Sequence, residues 1–400
     1  MSIDRVFPTI SAIMQVMEFP SAVEHLPPAV LITRQAELAQ LVEHLLGETT
    51  LAVDTESNSL YAYRERVCML QFSTCQGDFL VDPLALKDLS LLAPVFASPG
   101  IEKVFHAAEY DILCLKRDFN FQFANLFDTM VASRIVGRAA FGLGDLLQAE
   151  FGVQLDKHYQ RADWGQRPLP ADLLQYARLD THYLIPLRQR LALELDAHGL
   201  RPLAQEDFER LASLENNGRS EQAKDLECWG LRGAGDLAPQ QAAVLQELCR
   251  YRESRARLIN RPLFKVMNDQ TLVAIAAACP ATLDELGALP GMSRGQVERH
   301  GAQLLQAVQR GLKARPLRPK RPPRPDEAYL ERLERLRRWR KVTGEAMSVQ
   351  SDVVLPRDLM EALARQNPVD DGVLAAVMAS APWRRQQFGE QILVLLKGTI

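Results

Sequence analysis

The 400 residues are 47% hydrophobic and 24% charged, with a net charge of −3, the profile of a globular chain too long for one ordinary core. No run of about 18 apolar residues occurs, which excludes a membrane-spanning helix. Residues 1–28 lack a basic start leading into an apolar stretch, which argues against a secretory leader.

The six cysteines (Cys68, Cys75, Cys114, Cys228, Cys249, Cys279) form no C-x-x-C pair and sit mostly in apolar runs, so reduced thiols in a cytoplasmic protein are expected. Charge is uneven. Arg310 to Arg340 holds twelve Lys and Arg against four Asp and Glu, so the rest of the chain is acidic. Such asymmetry suits one region that gathers cations and another that attracts a polyanion.

In chain order, residues 1–28 read as a loose lead-in ending at Pro27-Pro28. Ala29 to Ile32 predicts a short strand, and Leu38, Leu41, Val42 and Leu45 recur at helical spacing after a Thr33 cap. Leu51-Ala52-Val53-Asp54-Thr55-Glu56 predicts a strand on which Asp54 and Glu56 project from one face near its end. Val67–Ser73 and Asp78–Asp82 predict two more strands joined at Gln76-Gly77. Beyond them a helix over Leu84–Phe96, a strand over Lys103–His106 and a helix over about 107–117 are expected. Strands with interleaved helices define an α/β domain with a mixed sheet.

Two carboxylates on one strand supply part of the oxygen shell that Mg²⁺ or Mn²⁺ takes, but a lone D-x-E also ends many strands. Carboxylates further along the chain give this one its weight. Asp111 stands 55 residues after Glu56, one turn into the helix leaving a strand. Pro168-Leu169-Pro170 opens a helix on which Tyr176 and Asp180 are i, i+4 and share a face.

The order D-x-E, D, Y-x-x-x-D resembles the tyrosine branch of the DEDD 3′-to-5′ exonucleases. The segment Lys157-His158-Tyr159-Gln160-Arg161-Ala162-Asp163-Trp164-Gly165-Gln166-Arg167-Pro168-Leu169 is similar to the K-x-x-Q-x-x-D-W-x-x-R-P-L of ribonuclease D. The resemblance implies a ribonuclease-H-like α/β exonuclease domain. In it Asp54, Glu56, Asp111 and Asp180 hold two divalent ions, Mg²⁺ or Mn²⁺, and Tyr176 joins them in catalysis. It also implies that the segments carrying His106, Lys157, Gln160 and Arg167 border the substrate.

After Gly218 the pattern is wholly helical, and a shift of 88 residues superposes two stretches without a gap. Leu245, Leu248, Arg250, Tyr251 and Arg252 fall on Leu333, Leu336, Arg338, Trp339 and Arg340, and Met267 and Leu272 on Leu355 and Met360. A constant offset of this kind is left by duplication of a helical domain. Ribonuclease D is similar in carrying two tandem copies of a helical domain shared with helicases (HRDC). Arg250, Arg252, Arg338 and Arg340 have the chemistry to meet phosphates, whereas Tyr251 and Trp339 read as core anchors.

The expected division is a lead-in over 1–28, the exonuclease domain over 29–218, the first helical domain over 238–313, a Pro/Arg linker over 314–325 and the second helical domain over 326–400. The family implies RNA with an accessible 3′ end as the partner, precursor transfer RNA in particular. Neither a membrane nor an obligate protein partner is expected. A DNA-directed 3′-to-5′ exonuclease would use the same carboxylates, and a catalytically silent binding protein on this fold is the alternative from another class. A P-loop helicase is excluded, since G-x-x-x-x-G-K-[ST] is absent.

Overall fold

The computed structural model describes residues 26–215, 228–318 and 326–398, without the side chain of Lys157. Most of the expected lead-in, the end of the expected exonuclease domain at 218 and linker residues 319–325 lie outside them.

Six strands form one mixed sheet: β1 (Val30–Ile32), β2 (Thr50–Ser57), β3 (Val67–Ser73), β4 (Asp78–Val81), β5 (Glu102–Phe105) and β6 (Leu126–Asp128), in the order β1-β4-β3-β2-β5-β6. β2 runs antiparallel to β3 and parallel to β5, so the sheet is mixed as its composition implied. Around it lie α1 (Gln35–Leu46), α2 (Ala93–Ala97), α3 (Glu109–Phe119), α4 (Thr129–Ile135), α5 (Leu143–Phe151), α6 (Ala171–His182), α7 (Leu184–Ala197) and α8 (Arg201–Ala212). β3 is buried along its whole length, which is why its sequence is mainly apolar and does not alternate, with Gln71 and Ser73 as its polar members.

Three local features depart from the sequence reading. The helix predicted over Leu84–Phe96 survives only as a short 3₁₀ turn at Ser90–Leu92 and α2. The Asp82 carboxylate accepts the backbone N–H groups of Leu84 and Ala85, and the Asp88 carboxylate that of Ser90, so turns displace the early helix. The short strand β6 gave no periodic signal. The third correction concerns thiols: Cys228 and Cys249 are disulfide-bonded, with Cα atoms 6.3 Å apart, and Cys75 is exposed. Cysteine spacing carried no sign that residues 228–230 fold back on the next helix.

The C-terminal half holds two five-helix units. The first is α9 (Pro239–Leu258), α10 (Leu263–Val266), α11 (Asp269–Ala278), α12 (Leu283–Gly287) and α13 (Arg294–Lys313). The second is α14 (Glu327–Ala346), α15 (Ser351–Val354), α16 (Arg357–Gln366), α17 (Asp371–Val377) and α18 (Pro382–Lys397). Every helix of the second unit starts 88 residues after its counterpart in the first. The Arg252 guanidinium donates to the Met267 carbonyl at 3.1 Å, and Arg340 repeats this on Leu355 at 2.9 Å.

The second unit is seated on the exonuclease domain. Val353 belongs to the exonuclease core, and Val349 and Trp383 pack against it. Arg384 is fully buried and bonds Glu206 and Asp207 of α8. Gly137 has φ +79, and a Cβ there would stand 2.7 Å from the Ser348 carbonyl, so this seat requires glycine.

Candidate active site

β5 leaves the sheet early. Its pairing with β2 ends at Val104 opposite Ala52, so the Asp54–Glu56 end of β2 borders open space on that side. A crevice beyond strand ends of this kind is the usual ligand position in α/β sheets. Ala107 then takes φ +62, and the Asp128 carboxylate accepts the N–H groups of Ala107 at 3.2 Å and Ala108 at 2.7 Å. That turn aims α3, whose first turn carries Asp111, a favourable place for an anion.

On the opposite flank α6 is pinned to the sheet by a buried polar network. Arg178 donates to Asp78 at 2.6 Å, His182 meets Asp78 at 2.9 Å, and the Ser73 and Thr181 hydroxyls lie 2.7 Å apart. This registers Tyr176 and Asp180 against β2. Carboxylate oxygens of Asp54, Glu56 and Asp180 all lie within 4.8 Å of one another. Asp111 joins from the other side, where it accepts a hydrogen bond from Thr55, the residue between the two β2 acids. The Tyr176 hydroxyl lies against Asp180.

Two cavities meet along the end of β2. One, about 440 Å³, is lined by Asp54, Glu56, His106, Gln160, Tyr176 and Asp180 among others. The second, about 360 Å³, adds Thr55, Ser59, Leu60, Tyr110 and Asp111.

Burial, and then the charges of Asp111, Asp180 and Glu56, holds the Asp54 carboxyl well above the usual carboxylate range. Burial with Asp180 and Asp111 does the same to Glu56. Burial pushes Asp111 up to about 7, and burial with Asp111 nearby pushes Asp180 up to about 8. The Tyr176 phenol rises too, through burial first and then Asp180 and Glu56. Burial lowers the His106 imidazole, whose Nδ1 lies 2.9 Å from the Thr129 hydroxyl. A crowded, all-oxygen donor set whose ionisation is opposed by its own neighbours fits a hard divalent cation, which would relieve that opposition.

Stability should depend on pH accordingly. These carboxyls hold protons in the folded state at pH values where the unfolded chain, with carboxylate pKa values near 4, has released them. Their contribution is therefore full at low pH and falls as pH rises through about 7 to 8. Metal-free protein should melt at a lower temperature at pH 8.5 than at pH 6. Mn²⁺ should raise the midpoint more at the higher pH, and an equal gain at both would contradict the expectation.

The other sequence candidates divide. His106 and Gln160 line the cleft. The Lys157 side chain lies outside the described residues. Arg167 turns inward rather than toward a phosphate: it binds Asp82 at 2.7 and 2.8 Å and the carbonyls of Trp164, Gln166 and Cys68. Arg252 is buried against Asp269 and the Met267 carbonyl, and Arg340 bonds the Leu355 carbonyl. Both tie helices together within their unit, which corrects their reading as substrate contacts. Arg250 and Arg338 are exposed but paired with Glu247 and Glu334. Tyr251 and Trp339 pack on the cores of their units.

Sequence reasoning missed Thr55, Asp128 and the Ser73–Asp78–Arg178–His182 network. It also missed Gln71, which is fully buried opposite Asp54 with no hydrogen-bond partner for its amide among the described residues. The position of Thr55 between the two β2 acids was the one available signal.

A family of 3′-5′ exonuclease domains matches residues 29–196, and the HRDC domain matches twice, at 241–308 and 330–396. The protein RRP6-like 3 of Arabidopsis thaliana is 33% identical over 277 residues, covering 64% of this chain and 31% of that protein. The chain thus spans about a third of the length of that relative. Ribonuclease D of Nitrobacter hamburgensis is 30% identical over 376 residues, covering 92% of this chain and 96% of that protein. Among solved structures, Escherichia coli RNase D superposes with a TM-score of 0.68 at 24% identity, covering 93% of this chain and all of that one, which shows a shared fold. The architecture is therefore that of a 3′-5′ exonuclease domain followed by paired HRDC domains. Within that class, the chain belongs to the ribonuclease D family. No described helix is long and apolar enough to cross a membrane.

Proposed function

We propose that the chain is a metal-dependent 3′-to-5′ exoribonuclease that releases nucleoside 5′-monophosphates from RNA with an accessible 3′ end, precursor transfer RNA among them. The observation that carries this reading is the meeting of Asp54, Glu56 and Asp180 within 4.8 Å beside Tyr176. With Asp111 they are the residues that would hold two divalent ions, Mg²⁺ or Mn²⁺. The chemistry supplied there is Lewis-acid assistance to a water and to the charge on the scissile phosphate.

In this reading the chain's own groups have separate tasks. Tyr176 stays protonated at neutral pH, since burial and the adjacent acids oppose its ionisation, so it serves as a hydrogen-bond donor and positioner and not as a base. Neutral His106 and the Gln160 amide border the same space and offer hydrogen bonds to sugar or base edges. The three domains are proposed as 29–218, 238–313 and 326–400.

Tyr176→Phe is expected to lower kcat by roughly 10² to 10⁴ while the melting temperature holds, as stopped assays and calorimetry would report. Unchanged turnover would remove its assigned role. The overall reading is tested by digesting 5′-labelled, 3′-extended RNA and its deoxy analogue with Mg²⁺ or Mn²⁺, with and without chelator. A metal-dependent ladder shortening from the 3′ end of RNA is expected, whereas internal cuts or indifference to chelator would refute it.

A further inference from the structure

The corner of the first helical unit where α9 passes to α10 is unusually apolar for an outer surface. Leu258 is 76% exposed, Phe264 51% and Ile259 39%. Exposed cations stand among them: Arg257, Arg261 and Lys265, the last with its Nζ 5.7 Å from the Phe264 ring centre. An exposed aromatic interleaved with cations differs from a solvated helix face, which would not retain Leu258 and Phe264.

The duplicate shows what the same corner does when it has a protein partner. At 88 residues further on, Arg257, Leu258, Ile259, Arg261, Phe264 and Lys265 become Glu345, Ala346, Met347, Val349, Asp352 and Val353. There the corner is the seat on the exonuclease domain. Val349 and Val353 meet its core, Ser348 closes on Gly137, and Asp352 pairs with Arg134 at 2.6 Å. The first copy has exchanged the acid for an aromatic and two valines for cations. A surface so altered is mismatched to the site its twin occupies and matched to a polyanion that also presents flat rings.

Its position names the polyanion. Asn260 accepts the N–H of Tyr63 at 3.2 Å, Arg261 reaches the Tyr61 carbonyl at 3.4 Å, and Arg257 lies 5.7 Å from the Tyr63 ring centre. Tyr61 and Tyr63 belong to the loop after β2, and Ser59 and Leu60 at its start line the cavity shared with Asp54 and Glu56. The exposed corner is thus continuous with the acidic cleft along one loop.

We propose that this corner of the first helical unit holds the unpaired RNA segment just upstream of the 3′ end, stacking a base on Phe264 and Leu258 while Lys265 and Arg261 meet phosphates. Stacking on an aromatic accepts any base and cations follow the backbone, so the site grips without reading sequence. The inference rests on the nuclease reading and deepens it.

The test compares an unstructured RNA of about 20 nucleotides with one of about four, which on this proposal occupies the cleft without reaching the corner. Wild-type protein should show a lower KM for the long substrate. Phe264→Ser and Lys265→Glu should each raise that KM by about 5- to 100-fold, with kcat, melting temperature and all constants for the short substrate unchanged. Lys265→Glu should also flatten the salt dependence of long-RNA binding. Equal effects on both substrates, or an unaltered long-substrate KM, overturn the proposal, and the second outcome would favour a protein-docking face. Failure of wild-type protein to degrade either RNA would instead remove the underlying nuclease reading.

Discussion

Asp54→Asn is expected to cost several kcal/mol of transition-state stabilisation, roughly a 10³-fold loss of turnover, while the protein remains folded. Asp54 stands at the centre of the acid cluster: Glu56 lies on the same strand face, Asp180 approaches across the cleft, and Asp111 adds its charge from behind Thr55. A neutral amide here does not need the proton that burial and the neighbouring acids force onto the Asp54 carboxyl, so above the ordinary carboxylate range the metal-free variant should melt higher than the parent. The same substitution removes a proposed ligand, so Mn²⁺ should raise its melting temperature far less. Raised apo stability together with a lost metal response is a pattern that general structural damage does not produce. Calorimetry and Mn²⁺ titration would measure both, and an unaltered Mn²⁺ affinity would contradict the assignment of Asp54.

The largest loss of stability is expected away from the chemistry, at Arg384. Its guanidinium is fully buried and bonds Glu206, Asp207 at 2.8 and 2.9 Å, and the carbonyls of Val353 and Val354 at 2.8 and 3.2 Å. Glu206 meanwhile accepts the N–H groups of Trp383 and Arg384, capping α18 from the exonuclease side. Arg384→Ala strands the buried Glu206 carboxylate beside a part-buried Asp207 and should cost about 3–5 kcal/mol in urea unfolding. Combining Arg384→Met with Glu206→Gln and Asp207→Asn removes every charge at once and should cost much less. A loss under about 1 kcal/mol for the single change would show that the pair is solvated on its own. The first unit has Gln296 at the equivalent position, whose side-chain amide donates to the Val266 carbonyl of the same unit at 3.5 Å.

Periodic and local features were the readable ones. The strand bearing Asp54 and Glu56 and the helix bearing Tyr176 and Asp180 were visible because alternation and i, i+4 spacing are properties of a single segment. The 88-residue offset was visible because duplication preserves spacing, and it extends to every helix start. What escaped depends on contacts between distant segments. Asp78 and Arg178 each look like surface polar residues until the fold buries them together, 100 positions apart. Arg167, Arg252 and Arg340 drew the opposite error, because an arginine bound to internal carbonyls has the same letter as one that meets phosphate.

The seat of the second unit has a practical consequence for shortened forms of the chain. Ending the polypeptide after α13 would keep every acid of the cleft, yet it would lay bare the apolar patch under Val353 and Trp383, take the Arg384 counterion from Glu206 and leave Asp207 with Arg210 alone, 4.0 Å away. Such a fragment should fail by aggregating on heating, and its poor yield of product would be mistaken for a missing catalytic part.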